Sequence, residues 1–206
     1  MFTEQSIQAA EELGRRYKSR TSFEGTQKSL GIDPGFGSSK TAFTVIECVD
    51  NLAHVIYSKQ FENSSTEHMV SHAWNLIIQY KLNNGINKVF VDGSQPGFIR
   101  SLKIAIGEYA QYEYFVEKAK QDNNNRPLHL YMNIVPVNFS TKHRAMLGNV
   151  RKWIDKGHVA IDPDLFPELL TELRIAQADE EMTLDKTEYS MDLLDSLRLS
   201  MEYIVY

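Results

Sequence analysis

The sequence predicts an α/β protein built on one mixed sheet, a three-strand antiparallel meander extended by parallel strands and flanked by helices. Two observations predict it. From Lys28 the chain runs through three apolar extended stretches, SLGID, TAFTVIECV and LAHVIYSKQF, joined by turns, which is meander order. Beyond them helical and extended stretches alternate, and such alternation builds parallel pairs through crossover helices. At 206 residues, 42% apolar and 24% charged, the chain fits one globular domain with a sizeable core.

Each element follows in order. Residues 1 to about 22 form an amphipathic helix with Ile7, Ala10, Leu13 and Tyr17 on one stripe. With the Ser/Thr/Gly link after it, this reads as a linker segment, 1–27, ahead of a domain at 28–206. After the meander, Ser64 and Glu67 make a capping-box pair before a helix whose Met69, Val70, Ala73 and Ile77 share a face. That helix ends near Asn83-Asn84-Gly85, and the strand 88-KVFVD-92 follows. Next come a helix from about Phe98 to Tyr112, a helical stretch at 114–121 and a polar loop, QDNNNRP. The strand LHLYMNIVPVNF, the helix TKHRAMLGNVRKWIDKG and a short helix, PELLTEL, come after the loop. An acidic hairpin at 172–190 precedes a closing helix from Ser190.

Several classes are excluded. No apolar run approaches the ~20 residues that span a bilayer, and the charged start lacks a signal peptide's apolar core. The lone Cys48 forbids an internal disulfide and suits a reducing compartment. A net charge of −5 argues against a protein that coats nucleic acid. It leaves open an enzyme acting on nucleic acid, because bound divalent metals reverse the sign of an acidic site.

The stretch 31-GIDPGFGSSKT-41 is the most informative. As a P-loop it fails, since Pro34 stands where the first glycine belongs and Ser39 precedes Lys40-Thr41. The dinucleotide fingerprint fails too, because 35-GFGSSK-40 ends in lysine and a β-rich run follows where a helix is needed. What remains is a strand that presents Asp33 where Pro34-Gly35 bends the chain away. Taken singly, Asp33 and Asp92 are turn starters. A right-handed crossover, however, pairs the fourth strand parallel to the first, the ribonuclease H-like order. Asp33 and Asp92 then face each other at one sheet edge, on strands ~4.8 Å apart. Asp192 and Asp195, at i and i+3 in 189-YSMDLLDSLRLSMEYI-204, share one face of the closing helix, where acids otherwise serve the helix dipole. Three converging carboxylates need cations. Oxygen-only ligands select magnesium or manganese, and two such ions can drive phosphodiester hydrolysis.

Four motifs in order resemble the nuclease domain of large terminase subunits, the DNA-packaging motors of tailed phages and related viruses: GIDPGFGSSKTAFTVIE, KVFVDGSQPG, IVPVNFSTKHRAMLGNVRKWIDKGHVAI leading into PELLTEL, and MDLLDSLRLSM. The resemblance covers about residues 30–206. It implies that Asp33, Asp92 and Asp195 are catalytic metal ligands, with Asp192 auxiliary one turn earlier. Ser196 replaces the alanine usual in the last motif. It further implies double-stranded DNA as substrate, two Mg2+ or Mn2+ ions, and the cytoplasm of an infected host cell. An ATPase motor domain, absent from this chain, a portal and a small terminase subunit are the implied partners, and no membrane is involved.

Lys40 follows Asp33 closely and could contact the scissile strand. Lys142, His143, Arg144, Arg151 and Lys152 form a basic segment, either a solvated helix face or a DNA-backbone contact. His68 and His72, at i and i+4, have zinc spacing but no third ligand nearby. The stretch 177-QADEEMTLDKTE-188 is a solvated hairpin, which in terminase-like domains lies near the active site. Two other functions compete. A RuvC-type Holliday-junction resolvase also opens on a GIDPG-like strand, and an actin-like nucleotide-binding module would need a second glycine-rich loop, for which 92-DGSQPG-97 is poor.

Overall fold

The computed structural model describes residues 1–18, 26–35, 40–82, 87–120, 133–177, 184, 190–202 and 204, with the backbone alone at 109–120. A six-stranded sheet organises it, with strands ordered β5-β4-β1-β2-β3-β6. β1 (Gln27–Asp33), β2 (Thr41–Val49) and β3 (Leu52–Phe61) form the expected antiparallel meander. β4 (Lys88–Asp92) pairs parallel to β1, and β5 (Asn133–Val137) parallel to β4. β6 (Val159–Ala160) adds a parallel edge beside β3, too short to leave a periodic signal in sequence.

Both sheet faces are buried, which explains the near-continuous apolar strands. Leu30, Ile32, Phe43, Val45, Val89 and Val91 pack under α2 (Thr66–Gln79) and α3 (Pro96–Lys120). The opposite face carries α4 (Phe139–Asp155), α5 (Pro167–Ile175) and α6 (Asp192–Ser200) over Ala42, Ile46 and Val55. α1 (Glu4–Tyr17), read from the sequence as linker, packs on this side. Ile7 and Ala10 are buried, and Ala10 O accepts from Ile161 N at 3.0 Å.

Local chemistry moves several expected boundaries. The two helical stretches after Phe98 are one helix, because no glycine or proline interrupts 108–120 and Pro96 is preset for a first turn. Ser65, not Ser64, caps α2 by accepting from His68 N at 3.2 Å. Asn138 caps α4 by accepting from Ser140 N at 3.0 Å, so the helix begins at Phe139 and β5 stops at Val137. Residues 128–132 of the expected strand lie outside the described residues. Of the expected hairpin, residues 172–175 belong to α5 and most of the remainder lies outside the described residues. No helix among the described residues is long and apolar enough to cross a membrane.

α6 crosses β1 at a place without a side chain. A Cβ on Gly31 would stand 2.0 Å from Ser196 O and 2.4 Å from Ser200 N. Small hydroxyls line the crossing: Ser29 donates to Ser200 O, and the Thr44 and Ser196 hydroxyls lie 2.7 Å apart. Ser196, the departure from the usual alanine, is therefore used.

Gly31→Ala should lose about 3 kcal/mol, the upper end for overpacking, because the obstacles are helix backbone. That is a Tm fall on the order of 10 °C. Gly148→Ala, mid-helix with nothing within 4 Å of the added carbon, should instead gain roughly 0.5–1 kcal/mol. Thermal unfolding of both checks the pair, and equal effects would contradict the close crossing.

Candidate active site

The site is built at the C-terminal ends of β1 and β4. Register Ile32↔Val91 sets Asp33 beside Asp92, one step further along, on the face shared by Gly31 and Phe90. Pro34 and Gly35 end β1, and the Thr41 hydroxyl pins the bend by accepting from Gly35 N at 3.1 Å. Asp92 is held by Ser94, whose N–H donates to Oδ1 at 3.0 Å and whose hydroxyl donates to Oδ2. Gly93 follows, with its N–H 2.7 Å from Val137 O.

α6 runs antiparallel to β1, since Ser200 lies at Ser29 and Ser196 at Gly31. Its first turn therefore lies toward the Asp33 end of the strand, and Asp192 and Asp195 come with it. Both are buried, Asp195 at 3% exposure. Ser190 donates its hydroxyl to Asp192.

Arg198, 1% exposed, sits among the acids. Its Nη2 donates to Asp195 Oδ1, Nη1 lies 3.0 Å from His143 Nδ1, and the guanidinium stacks 4.7 Å from the centre of the Phe139 ring. Burial pulls its pKa down, while Asp195, Asp33 and Asp92 hold the charge in place. Its Nε–H is buried without a hydrogen-bond partner among the described residues. No group of three or more His, Cys, Asp or Glu is gathered tightly enough to hold a metal ion among the described residues. The donor chemistry nevertheless fits a hard divalent cation: carboxylates of Asp33, Asp92 and Asp195, all within electrostatic reach of one point. A cation already stands there, with an N–H unsatisfied.

Sequence reasoning missed Glu172. This buried α5 side chain accepts from Leu194 N at 2.8 Å, supplying the cap that Met191 cannot give α6. Burial pushes its carboxyl up to about 8, against the N–H groups of Leu194 and Leu193 that hold it down, with Asp192 and Asp195 adding to the rise. The available signal was an acid on the stripe Leu169, Glu172, Leu173, Ala176.

The basic residues divide. His143 points inward, its Nε2 accepting from Leu184 N at 3.1 Å, so it leaves the expected surface segment. Lys142, Arg144 and Lys152 line one groove on α4 with Asn149 and Glu202. Lys142 is ion-paired to Glu202, and Arg151 pairs with Asp155 at 3.4 Å. Lys40 pairs with Glu62 at 2.8 Å, which raises its pKa, and it feels Asp192. His72 Nε2 lies 2.8 Å from the Tyr57 hydroxyl, within an aromatic cluster with Phe61 and Phe43, while His68 is exposed. No third ligand joins the two histidines among the described residues.

No protein-family model matches the sequence, and none of the curated proteins does. Solved structures do match. The large terminase nuclease of thermophilic phage G20c aligns with a TM-score of 0.65 over 96% of this chain and 96% of its own, at 15% identity. The g2p nuclease domain of bacteriophage SPP1, solved with bound manganese, aligns with a TM-score of 0.54 over 98% and 92%, at 14% identity. The large terminase of another thermophilic bacteriophage aligns with a TM-score of 0.59 over 87% of this chain and 40% of its own, at 13% identity. At these identities the likeness is one of fold, the ribonuclease H-like fold that the strand order predicts.

The folded protein holds the Glu172 proton to about pH 8 and the unfolded chain releases it near 4.5. The unfolded state thus binds fewer protons in this window, and stability should fall as pH rises through it. Glu172→Gln keeps an acceptor for Leu194 and should remove that slope, whereas Glu172→Ala should lose the cap, about 1 kcal/mol. Urea unfolding in chelator at pH 5 and pH 8 distinguishes them. Identical slopes in wild type and Glu172→Gln would refute the assignment.

Proposed function

We propose that the chain is a metal-dependent nuclease domain of the large terminase kind, cutting concatemeric double-stranded DNA. One observation carries the reading: Asp33 and Asp92 stand level on adjacent parallel strands, under the helix that bears Asp195. The manganese-bound SPP1 domain and the G20c nuclease share the fold that makes this arrangement. A divalent cation bound there would lower the pKa of a water and neutralise the phosphodiester oxygens, two ions ~3.5–4 Å apart dividing those tasks. Asp33, beside Asp92 and under the helix of Asp195, would hold the cations together with them. Asp192, held by Ser190, serves from one turn away. Lys40 lies at the rim, and the α4 groove offers Arg144 and Lys152, with Lys142 and Arg151, to the phosphate backbone. The match spans only 40% of the longer large terminase chain, and the family resemblance proposes an ATPase motor domain, a portal and a small subunit as partners in the host cytoplasm.

Plasmid nicking with Mn2+, Mg2+ or chelator tests the reading. Asp33→Asn and Asp195→Ala should abolish cleavage. Asp192→Ala should retain it at ~10–100-fold lower rate, the range for a residue acting beside the ligands. Metal-dependent cutting by pure Asp33→Asn would sink the assignment, and the reverse ranking of the two helix acids would exchange their roles.

DNA binding should be weak and steep in salt. Neutralising Lys142, Arg144, Arg151 and Lys152 together should lower the slope of log K against log salt by about 2, since two of the four are already ion-paired and each phosphate contact contributes ~0.9. Fluorescence anisotropy across a salt series measures it, and an unchanged slope would leave α4 a solvated face.

A further inference from the structure

We propose that Arg198 is the resident counter-charge of the acid cluster, a positioning residue that holds Asp195 in the metal-free protein and yields it to an arriving divalent cation. The inference rests on the metal reading of Asp33, Asp92 and Asp195 given above. Arg198 ranks first by volume among the fully buried side chains of the described residues, and burying an arginine is unfavourable unless its charge and its N–H groups are met. Its charge is met by all three proposed ligands. Its hydrogen bonding is not: Nε–H is orphaned among the described residues, although a guanidinium has five donors to satisfy. A purely structural arginine would be better partnered. A placeholder need only be held well enough to keep three carboxylates together.

The contact is also specific. Arg198 Nη2 donates to Oδ1 of Asp195, one of the two oxygens this carboxylate could offer a metal ion. Guanidinium and metal therefore compete for one carboxylate, and the competition accounts for Asp195 facing Arg198 rather than closing a three-acid cluster with Asp33 and Asp92. When Asp195 turns away, the Phe139 ring at 4.7 Å keeps the guanidinium seated. Its charge then remains at the acid cluster, and only its partner changes.

Competition makes a prediction that a merely structural role would not: removing Arg198 should tighten metal binding while weakening the metal-free fold. Isothermal titration calorimetry with Mn2+ on wild type, Arg198→Lys and Arg198→Met reads the first effect. The Met variant should bind at least tenfold more tightly than wild type, and the Lys variant, whose ammonium holds Asp195 at one point, should fall between. Thermal unfolding reads the second. Arg198→Met should melt lowest in chelator and gain more in Tm from saturating Mn2+ than wild type does. Should Arg198→Met be unfolded in chelator, recovery of native circular dichroism on adding Mn2+ supports the proposal, and failure to recover overturns it. Equal or weaker Mn2+ binding by Arg198→Lys overturns it independently. Absence of Mn2+ binding in all three proteins would sink the metal reading itself, whereas equal binding in all three would sink only the role of Arg198.

Discussion

The approach of α6 to β1 at Gly31 is the constraint on which the site depends. A helix packed on a sheet through ordinary side chains stands about 10 Å away. Here Ser196 O and Ser200 N occupy the space a Cβ would fill. Closeness brings polar backbone and hydroxyls into a buried seam, and each must find a partner. Ser58, Thr44 and Ser196 form a chain ending on Leu193 O, in which every hydroxyl can donate once. Ser200 turns its own hydroxyl back to Leu197 O while its carbonyl accepts from Ser29. The seam is thus satisfied, and it fixes height and direction together. The direction is what aims the first turn of α6 at Asp33.

That aim concentrates charge. Asp195, Asp33 and Asp92 act on Arg198 at one end of the sheet, and Glu172 lies close to Asp192 and Asp195 beside them. Carboxylates this numerous, with Asp192, Asp195 and Glu172 buried, repel unless protonated or neutralised. The molecule uses both routes: Glu172 is driven toward its neutral form, and Arg198 balances part of what remains. The division is coherent, because a protonated Glu172 can still accept from Leu194 N and hold the helix in place, leaving the other acids to demand external positive charge.

Much of this was legible in the sequence, for definite reasons. Asp33 and Asp92 could be found because each ends a short apolar run, and the crossover rule fixes which strands become neighbours. Helical spacing puts Asp192 and Asp195 on one face, and only the motif resemblance singles out Asp195. Arg198 could not. Three residues from Asp195 it reads as an i, i+3 surface pair, and only the depth of α6 turns it into a buried one. Glu172 was hidden for the same reason, its acid character outweighing its position on a buried stripe. His143 was misassigned because a lysine and an arginine flank it, although α4 turns about 100° per residue and can send neighbours to opposite sides. Sequence reports which residues share an element; how deeply the element sits decides what they meet.

α4 joins the two halves of the proposed chemistry. Its outer face offers Lys142, Arg144 and Lys152 to an anionic backbone, and its inner face sends Phe139 and His143 to Arg198. Since Lys142 and His143 are adjacent, a phosphate in the groove would lie within about one helical turn, ~5 Å of rise, of the groups that seat the guanidinium. His143 also receives the N–H of Leu184, a member of the acidic stretch QADEEMTLDKTE. One histidine thus lies against the buried cation and the buried Leu184 at the same end of α4. α4 therefore turns basic side chains outward and seats the cation of the acid cluster on its inner face.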